Sequence, residues 1–240
     1  MSSKTPNRGN PDNAPENRPD QTAAAIVEAA LMHVPFDGWG SEALLAGASD
    51  AGFGPEAVDA HFPGGAIDAI VLHSALADEA MVAAFDAMDD RPEKIHLIIR
   101  TLILIRLEQA SAHKEAVRRA LSVLALPGNA LISAKSLYRT IDLMWRSAGQ
   151  RDTDFSFYTK RASLAGVYSA TLLAWVADNS GDMEATEAFL DRRLGDIARI
   201  PEATAPFKAF AGLGAGLGAG IGQKLAKGAT MAMKRRFSQR

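Results

Sequence analysis

Glu93-Lys94-Ile95-His96 sets a carboxylate and an imidazole three residues apart, the Glu-x-x-His spacing with which a helix offers ligands to a di-iron centre. Such a centre needs two copies of the motif and further carboxylates, and the chain has no second copy. A solvated helix face is therefore the better reading of Glu93 and His96, and an iron enzyme built on that lone pair ranks last among the alternatives. The histidines (His33, His61, His73, His96 and His113) show no metal-ligand spacing such as His-Glu-x-x-His. The absence of cysteine excludes disulfides, thiolate catalysis and Cys-ligated zinc. There is no Gly-x-Ser-x-Gly elbow and no Walker loop, and the glycines of residues 212–222 follow a linker rather than a strand. No catalytic group, metal site or cofactor is nominated, and the chain reads as a binding protein rather than an enzyme.

The residue types best suited to recognition lie between Asp142 and Arg161. Trp145, Phe155, Phe157 and Tyr158 crowd into this stretch of a chain that is only 7% aromatic. A helix carrying Met144 and Trp145 is expected to end at Gly149. Asp152, Thr153 or Asp154 can cap the next one, which opens Phe155-Ser156-Phe157-Tyr158. Rings beside such a corner either pack inward or anchor a partner.

These residues need elements to position them, and helical periodicity occurs almost everywhere while strand alternation is not convincing anywhere. The expected fold is all-α. Helices are predicted over about Thr22–His33, closed by Pro35 and an Asp37-Gly38-Trp39 turn; from a Ser41 cap to near Gly52; from Pro55 to His61-Phe62; and over about Ala66–Met88. Asp89-Asp90-Arg91-Pro92-Glu93 reads as an acidic helix start leading into the run Ile95–Leu107. That run is apolar nearly all round and hence central in a bundle, and Arg100 and Arg106 interrupt it. Further helices are predicted at about Lys114–Leu126, Ala130–Ala148, Phe155–Val176 and Asp182–Ile200, packing as a bundle.

Charge divides the chain. Between Gln21 and Asp90 there are twelve acidic residues and no Lys or Arg, whereas seven cations and no acid follow Glu202. Set against the net charge of −2, that tail leaves −9 in residues 1–202. Residues 1–20 read as a disordered tail without a secretory signal, and Asp12, Glu16 and Asp20 argue against a transit peptide. After a linker at residues 201–206, Phe207, Phe210, Leu213, Leu217, Ile221 and Leu225 recur every three or four residues, with Lys224 and Lys227 among the bordering cations. The uncharged run Ala209–Gln223 is too short to span a bilayer, and its glycines weaken a helix in water. Residues 207–240 are therefore expected to become helical on an anionic membrane surface.

The three short helices followed by a longer one resemble the N-terminal part of TetR regulators. The carrying residues are Ala29-Ala30, Asp37-Gly38-Trp39, Ala46 to Gly52, and His61-Phe62-Pro63. In that family the third helix reads the major groove. Here it would be Gly54–Ala60, with two carboxylates and no cation, although phosphate contacts by Lys and Arg dominate DNA affinity. No nucleic-acid partner is expected, and a TetR-type ligand-responsive regulator is the alternative function.

A longer resemblance covers about Ala24 to Arg240. It is carried by Ala120-Leu121-Ser122 through Leu126-Pro127, then Asp142, Met144-Trp145 and Ala148-Gly149. Thr153-Asp154-Phe155, Phe157-Tyr158-Thr159 and Arg161 complete it. The chain is similar to the accessory, lipid-binding proteins of ubiquinone biosynthesis, which share a TetR-like fold. It departs from their pattern at Phe157, where Trp is frequent, and at Gln150, where an Asp is frequent. The resemblance implies a lipid or isoprenoid-quinone intermediate held in a hydrophobic pocket and a C-terminal amphipathic helix on the membrane. It also implies a di-iron quinone hydroxylase as partner. Carried over, it nominates Met144, Trp145, Asp154, Phe157 and Tyr158 as the partner patch, with Phe155 inward and Met144, Trp145, Phe157 and Tyr158 at least partly displayed. It offers Leu104, Leu124, Leu137, Ile141, Leu164 and Tyr168 as lipid-lining residues. The expected organisation is a disordered 1–20, a helix-turn-helix-like 21–65, a lipid-binding bundle 66–200, the linker, and a membrane helix 207–240. The expected location is cytoplasmic, peripheral on the inner face of a membrane, and TetR-like folds leave a homodimer open.

Overall fold

A computed structural model describes residues 20–149 and 155–198, with only the backbone described at 155–158 and 197–198. Among the described residues the regular structure is helical and there is no strand. The N-terminal tail, the helix-capping candidates Asp152 to Asp154, the linker and the whole of 207–240 lie outside the described residues. Close packing divides the chain into two compact units, with the division inside one helix between Leu76 and Ala77.

The first unit contains α1 (Gln21–Ala30), α2 (Val34–Asp37), α3 (Ser41–Asp50), α4 (Pro55–His61) and the start of α5 (Ala66–Asp86). Asp20 caps α1, its carboxylate accepting from Thr22 N–H at 2.9 Å. The crossing of α1 and α3 is made possible by Gly47. A Cβ there would lie 2.6 Å from Ala30 N and 2.7 Å from Ile26 O, so no larger residue lets the two backbones meet. Around that crossing Ile26, Val27, Leu44 and Trp39 are buried, and Trp39 stacks at a tilt on His73 with ring centroids 5.5 Å apart. Two expectations need correction. Ser41 does not cap α3: Gly40 holds the cap position, and Ser41 is the first helical residue. Pro35 does not simply end the first helix either. It is the second residue of the one-turn α2, where its fixed φ and missing N–H are harmless.

The second unit comprises the rest of α5 with α6 (Ile95–Gln109), α7 (Lys114–Leu124), α8 (Ala130–Ser147), α9 (Phe155–Ala177) and α10 (Glu184–Ala198). α6 is its spine, burying Ile98, Ile99, Leu102, Ile103 and Leu107 against α8, α9 and α10. The residues expected to open α6 stay outside it: Asp89–Lys94 precede the helix, and the run from Ile95 begins it. Glu93 is thus in the preceding loop, and both Glu93 and His96 are exposed. Arg100 clamps α10 to this spine, donating from Nε to Asp191 at 2.6 Å and from Nη2 to Glu187 at 2.8 Å. The Asp191 hydrogen bond, opposed by partial desolvation and helped by Glu187, holds that guanidinium above the ordinary arginine value. α7 docks on the C-terminal end of α9 with its cations. Lys114 Nζ donates to the Asp178 carbonyl and lies 5.0 Å from the centre of the Trp175 ring, while Arg118 Nη2 donates to the Val176 carbonyl at 2.7 Å. Cations at that end satisfy helix carbonyls left without an intrahelical donor and oppose the negative end of the helix dipole.

Candidate functional site

The α8–α9 corner is where the sequence placed recognition. α8 ends at Ser147, and Gly149 follows at φ +76°, a left-handed conformation that stops the helix where expected. Just before that stop, Asp142 ties the two helices together. Its Oδ1 accepts from Arg161 Nε at 3.0 Å and Nη2 at 2.8 Å, and its Oδ2 pairs with Arg146 Nε at 2.6 Å. Arg161 is buried, so this is a structural tie with one leg, Arg146, in water.

Met144 is the clearest correction at this corner. Expected to be at least partly displayed, it is fully buried at 0% exposure in the core of the second unit. Its position on α8 turns it toward the same interior as Ile141, one turn earlier, where apolar burial outweighs display. Trp145, the next residue round the helix, is half-buried and packs against that core from its edge. Its indole Nε1 is buried with no hydrogen-bond partner among the described residues. Asp154 and the side chains of Phe155, Phe157 and Tyr158 lie outside the described residues.

Five of the six residues offered as lipid-lining share one core. Ile141, Leu164 and Tyr168 are buried in it, and Leu104 and Leu137 pack on it half-buried; Leu124, the last residue of α7, does not join them. A charged network that the sequence reading did not find runs through this interior. Asp78 is 0% exposed. Its Oδ1 lies 3.1 Å from Arg106 Nη1, its Oδ2 accepts from Arg139 Nε at 3.1 Å, and Thr140 Oγ1 donates to Oδ1 at 2.9 Å. Arg106 Nε in turn donates to the Tyr168 hydroxyl at 2.9 Å. Burial works against the Arg106 charge, but the Tyr168 oxygen and the Asp78 carboxylate more than offset it, and its pKa stays above the ordinary arginine value. The signal was present: Arg106 interrupts an otherwise apolar helix, and a cation there demands a buried carboxylate. Nothing local to Arg106 names Asp78, on another helix, as that carboxylate.

Among the described residues no three His, Asp or Glu side chains converge as metal ligands. No single described helix is long and apolar enough to cross a membrane. On α4, Glu56 and Asp59 are exposed.

Residues 130–201, from α8 through α10, match the family model described as COQ9. Over 200 residues the chain is 34% identical to the rat "Ubiquinone biosynthesis protein COQ9, mitochondrial" and 32% identical to the human one. The chain is similar to the COQ9 proteins. Each of those two alignments covers 79% of this chain and 63% or 62% of the relative, so the chain spans a little under two thirds of their length. The fission yeast protein of the same name, from Schizosaccharomyces pombe, is 29% identical over 171 residues, covering 71% of this chain and 68% of the relative. In three dimensions the chain resembles a TetR transcriptional regulator from Nitrosomonas europaea, with a TM-score of 0.58. That match has 19% identity and covers 75% of this chain and all of the regulator. It establishes the TetR-like all-α fold and nothing about ligands.

Proposed function

We propose that this chain is a non-catalytic accessory protein of ubiquinone biosynthesis that holds a lipid or isoprenoid-quinone intermediate and presents it to a di-iron quinone hydroxylase. The observation that carries the reading is the 32–34% identity to proteins named for ubiquinone biosynthesis, across most of this chain. The lipid is assigned to the core around Leu104, Leu137, Ile141, Leu164 and Tyr168, of which Leu104 and Leu137 are half-buried at its edge. Trp145, Asp154, Phe157 and Tyr158 are assigned to the hydroxylase, and Met144 supports them from beneath. The segment 207–240 is assigned to the membrane, on which the protein sits peripherally at the inner face.

Mass spectrometry of lipid extracted from the natively purified chain tests the central claim. Co-purifying isoprenoid or quinone species are expected, and a lipid-free protein overturns it. Deleting residues 207–240 should abolish flotation with anionic liposomes without unfolding the helices. Phe157→Asp with Tyr158→Asp should abolish capture of the hydroxylase.

The TetR-like fold keeps a DNA-binding regulator as the second reading. The exposed Glu56 and Asp59 on α4 oppose it, because phosphate contacts dominate affinity for a duplex. Tight, salt-dependent binding in a gel shift would restore it.

A further inference from the structure

The corner where α7 turns into α8 carries an apolar surface that the α8–α9 reading does not use. The two helices meet at 90° across a 3-10 turn at Pro127–Asn129. Residues 120–134 contain no charged side chain, and no acid occurs between Glu115 and Asp142. Leu126 is 55% exposed and Leu131 68%, and Ile132 beside them is also exposed, together with Ala125, Pro127 and Ala130. Large aliphatic side chains held in water at a convex tip lower stability unless something covers them.

The polar groups of this tip are turned inward. Asn129 Nδ2 donates to the Val123 carbonyl at 2.9 Å, and Ser133 Oγ lies within hydrogen-bond reach of the carbonyls of Leu124 and Asn129, at 2.7 and 2.9 Å. The Leu126 carbonyl accepts from Asn129 N–H, and Ser122 Oγ bonds the Arg118 carbonyl. Backbone that enters hydrocarbon has to be satisfied from within the protein, and here the carbonyls of Val123, Leu124, Leu126 and Asn129 are covered by the turn's own donors. Cations stand behind it: Lys135, exposed three residues after Ile132 on α8, and Arg118 and Arg119, five or six residues before the last residue of α7, which share Glu115 between them while Arg118 also reaches the Val176 carbonyl. At 1.5 Å per residue the two arginines lie about 8 Å back along α7, the depth of a headgroup layer when the tip reaches the acyl boundary. Tyr138, half exposed one turn further along α8, has the apolar ring and polar tip that favour that interface.

We propose that the α7–α8 corner is a second membrane-contact site, an aliphatic wedge that enters an anionic bilayer to the depth of Leu126 and Leu131 while Lys135 meets lipid phosphates and Arg118 and Arg119, sharing Glu115, face the headgroup layer. Charge favours lipid as the occupant, because an acid-free, cation-flanked surface on a body of net −9 complements an anionic leaflet. The chemistry of the tip favours it as well. Protein interfaces centre on aromatic and arginine anchors with hydrogen bonds, whereas this tip is aliphatic and its polar side chains, Ser122, Asn129 and Ser133, are already engaged. The site is independent of the segment 207–240.

The chain has no cysteine, so Leu126→Cys in the full-length protein takes a single environment-sensitive fluorophore, with Glu184→Cys on α10 as the control. Vesicles of phosphatidylcholine and phosphatidylglycerol, with and without brominated acyl chains, are the probe. The Leu126 label is expected to shift to the blue and be quenched by bromine, and the Glu184 label to do neither. Leu131→Asp should weaken vesicle affinity by about tenfold with an unchanged melting curve. Flotation of the labelled protein with an unquenched Leu126 label overturns the corner and leaves the role of 207–240 standing. A blue shift that grows with protein concentration in the absence of vesicles also overturns it, by showing that a second copy covers the tip.

Discussion

Replacing Asp78 by alanine is expected to be the most damaging single change in the second unit. Asp78 is completely buried and takes contacts from Arg106, Arg139 and Thr140. The three partners do not weigh equally. Arg139 is about one-third exposed and can turn its guanidinium to water, so its pair with Asp78 is worth little. Thr140 has the Ser136 carbonyl as a second acceptor at 3.3 Å. Arg106 has no comparable escape, because its side chain is 10% exposed and the Tyr168 hydroxyl it also contacts carries no compensating charge. Breaking a buried pair by removing one partner costs about 3–5 kcal/mol. For a helical unit of this size that is a fall in Tm of roughly 10–20 °C. Urea titration followed by far-UV circular dichroism measures the loss. The second variant, Asp78→Ala with Arg106→Met, removes the stranded cation and should recover most of the stability, since apolar replacement of a buried ion pair is often neutral or better. A loss below about 1 kcal/mol for Asp78→Ala, as for an exposed pair, would refute the reasoning. So would a double variant no more stable than the single one.

Gly47→Ala should destabilise the first unit by about 1–3 kcal/mol, because the added carbon meets Ala30 and Ile26 backbone rather than a movable side chain; thermal denaturation reads the effect. Met144→Ala should lower stability by about 2–5 kcal/mol, whereas Met144→Leu should leave both stability and hydroxylase capture near wild type, since the native side chain does not reach the surface. The Ser180 hydroxyl, and after it the Ser180 backbone N–H, hold the Asp178 carboxyl below its ordinary value. Its folded pKa lies under its unfolded one, so its stabilisation is complete near neutral pH. That stabilisation is lost as the pH falls from the ordinary carboxylate range through the lowered value. Asp178→Asn should flatten that part of the stability–pH curve, and an unchanged acid limb in denaturant titrations would count against the assignment.

The helices were legible because each buried face repeats within one segment. The apolar run from Ile95 predicted a central helix, and α6 occupies that position. Gly149 predicted the end of α8 through a property of glycine alone. Caps were less legible, because two neighbouring residues often satisfy the same pattern. Ser41 and Gly40 compete for one cap position, and Asp182 serves α10 from outside the helix, accepting from Glu184 N–H at 3.1 Å. The one-turn α2 is too short to leave a period.

The sequence alone carried the all-α class, the order of the long helices, the split between acidic body and basic tail, and the resemblance in the stretch from Ala120 to Arg161. Each is set by residues close together in the chain. Only the tertiary structure decided that Met144 faces the core while Trp145 stays at its edge, because one step along a helix turns a side chain by 100° and the position of the neighbouring helices settles which direction is inside. It alone joined Asp78 to Arg106, 28 residues away in the chain, and Arg106 to Tyr168, 62 residues further on. Contacts between distant helices depend on how their faces pack, and no local spacing records that.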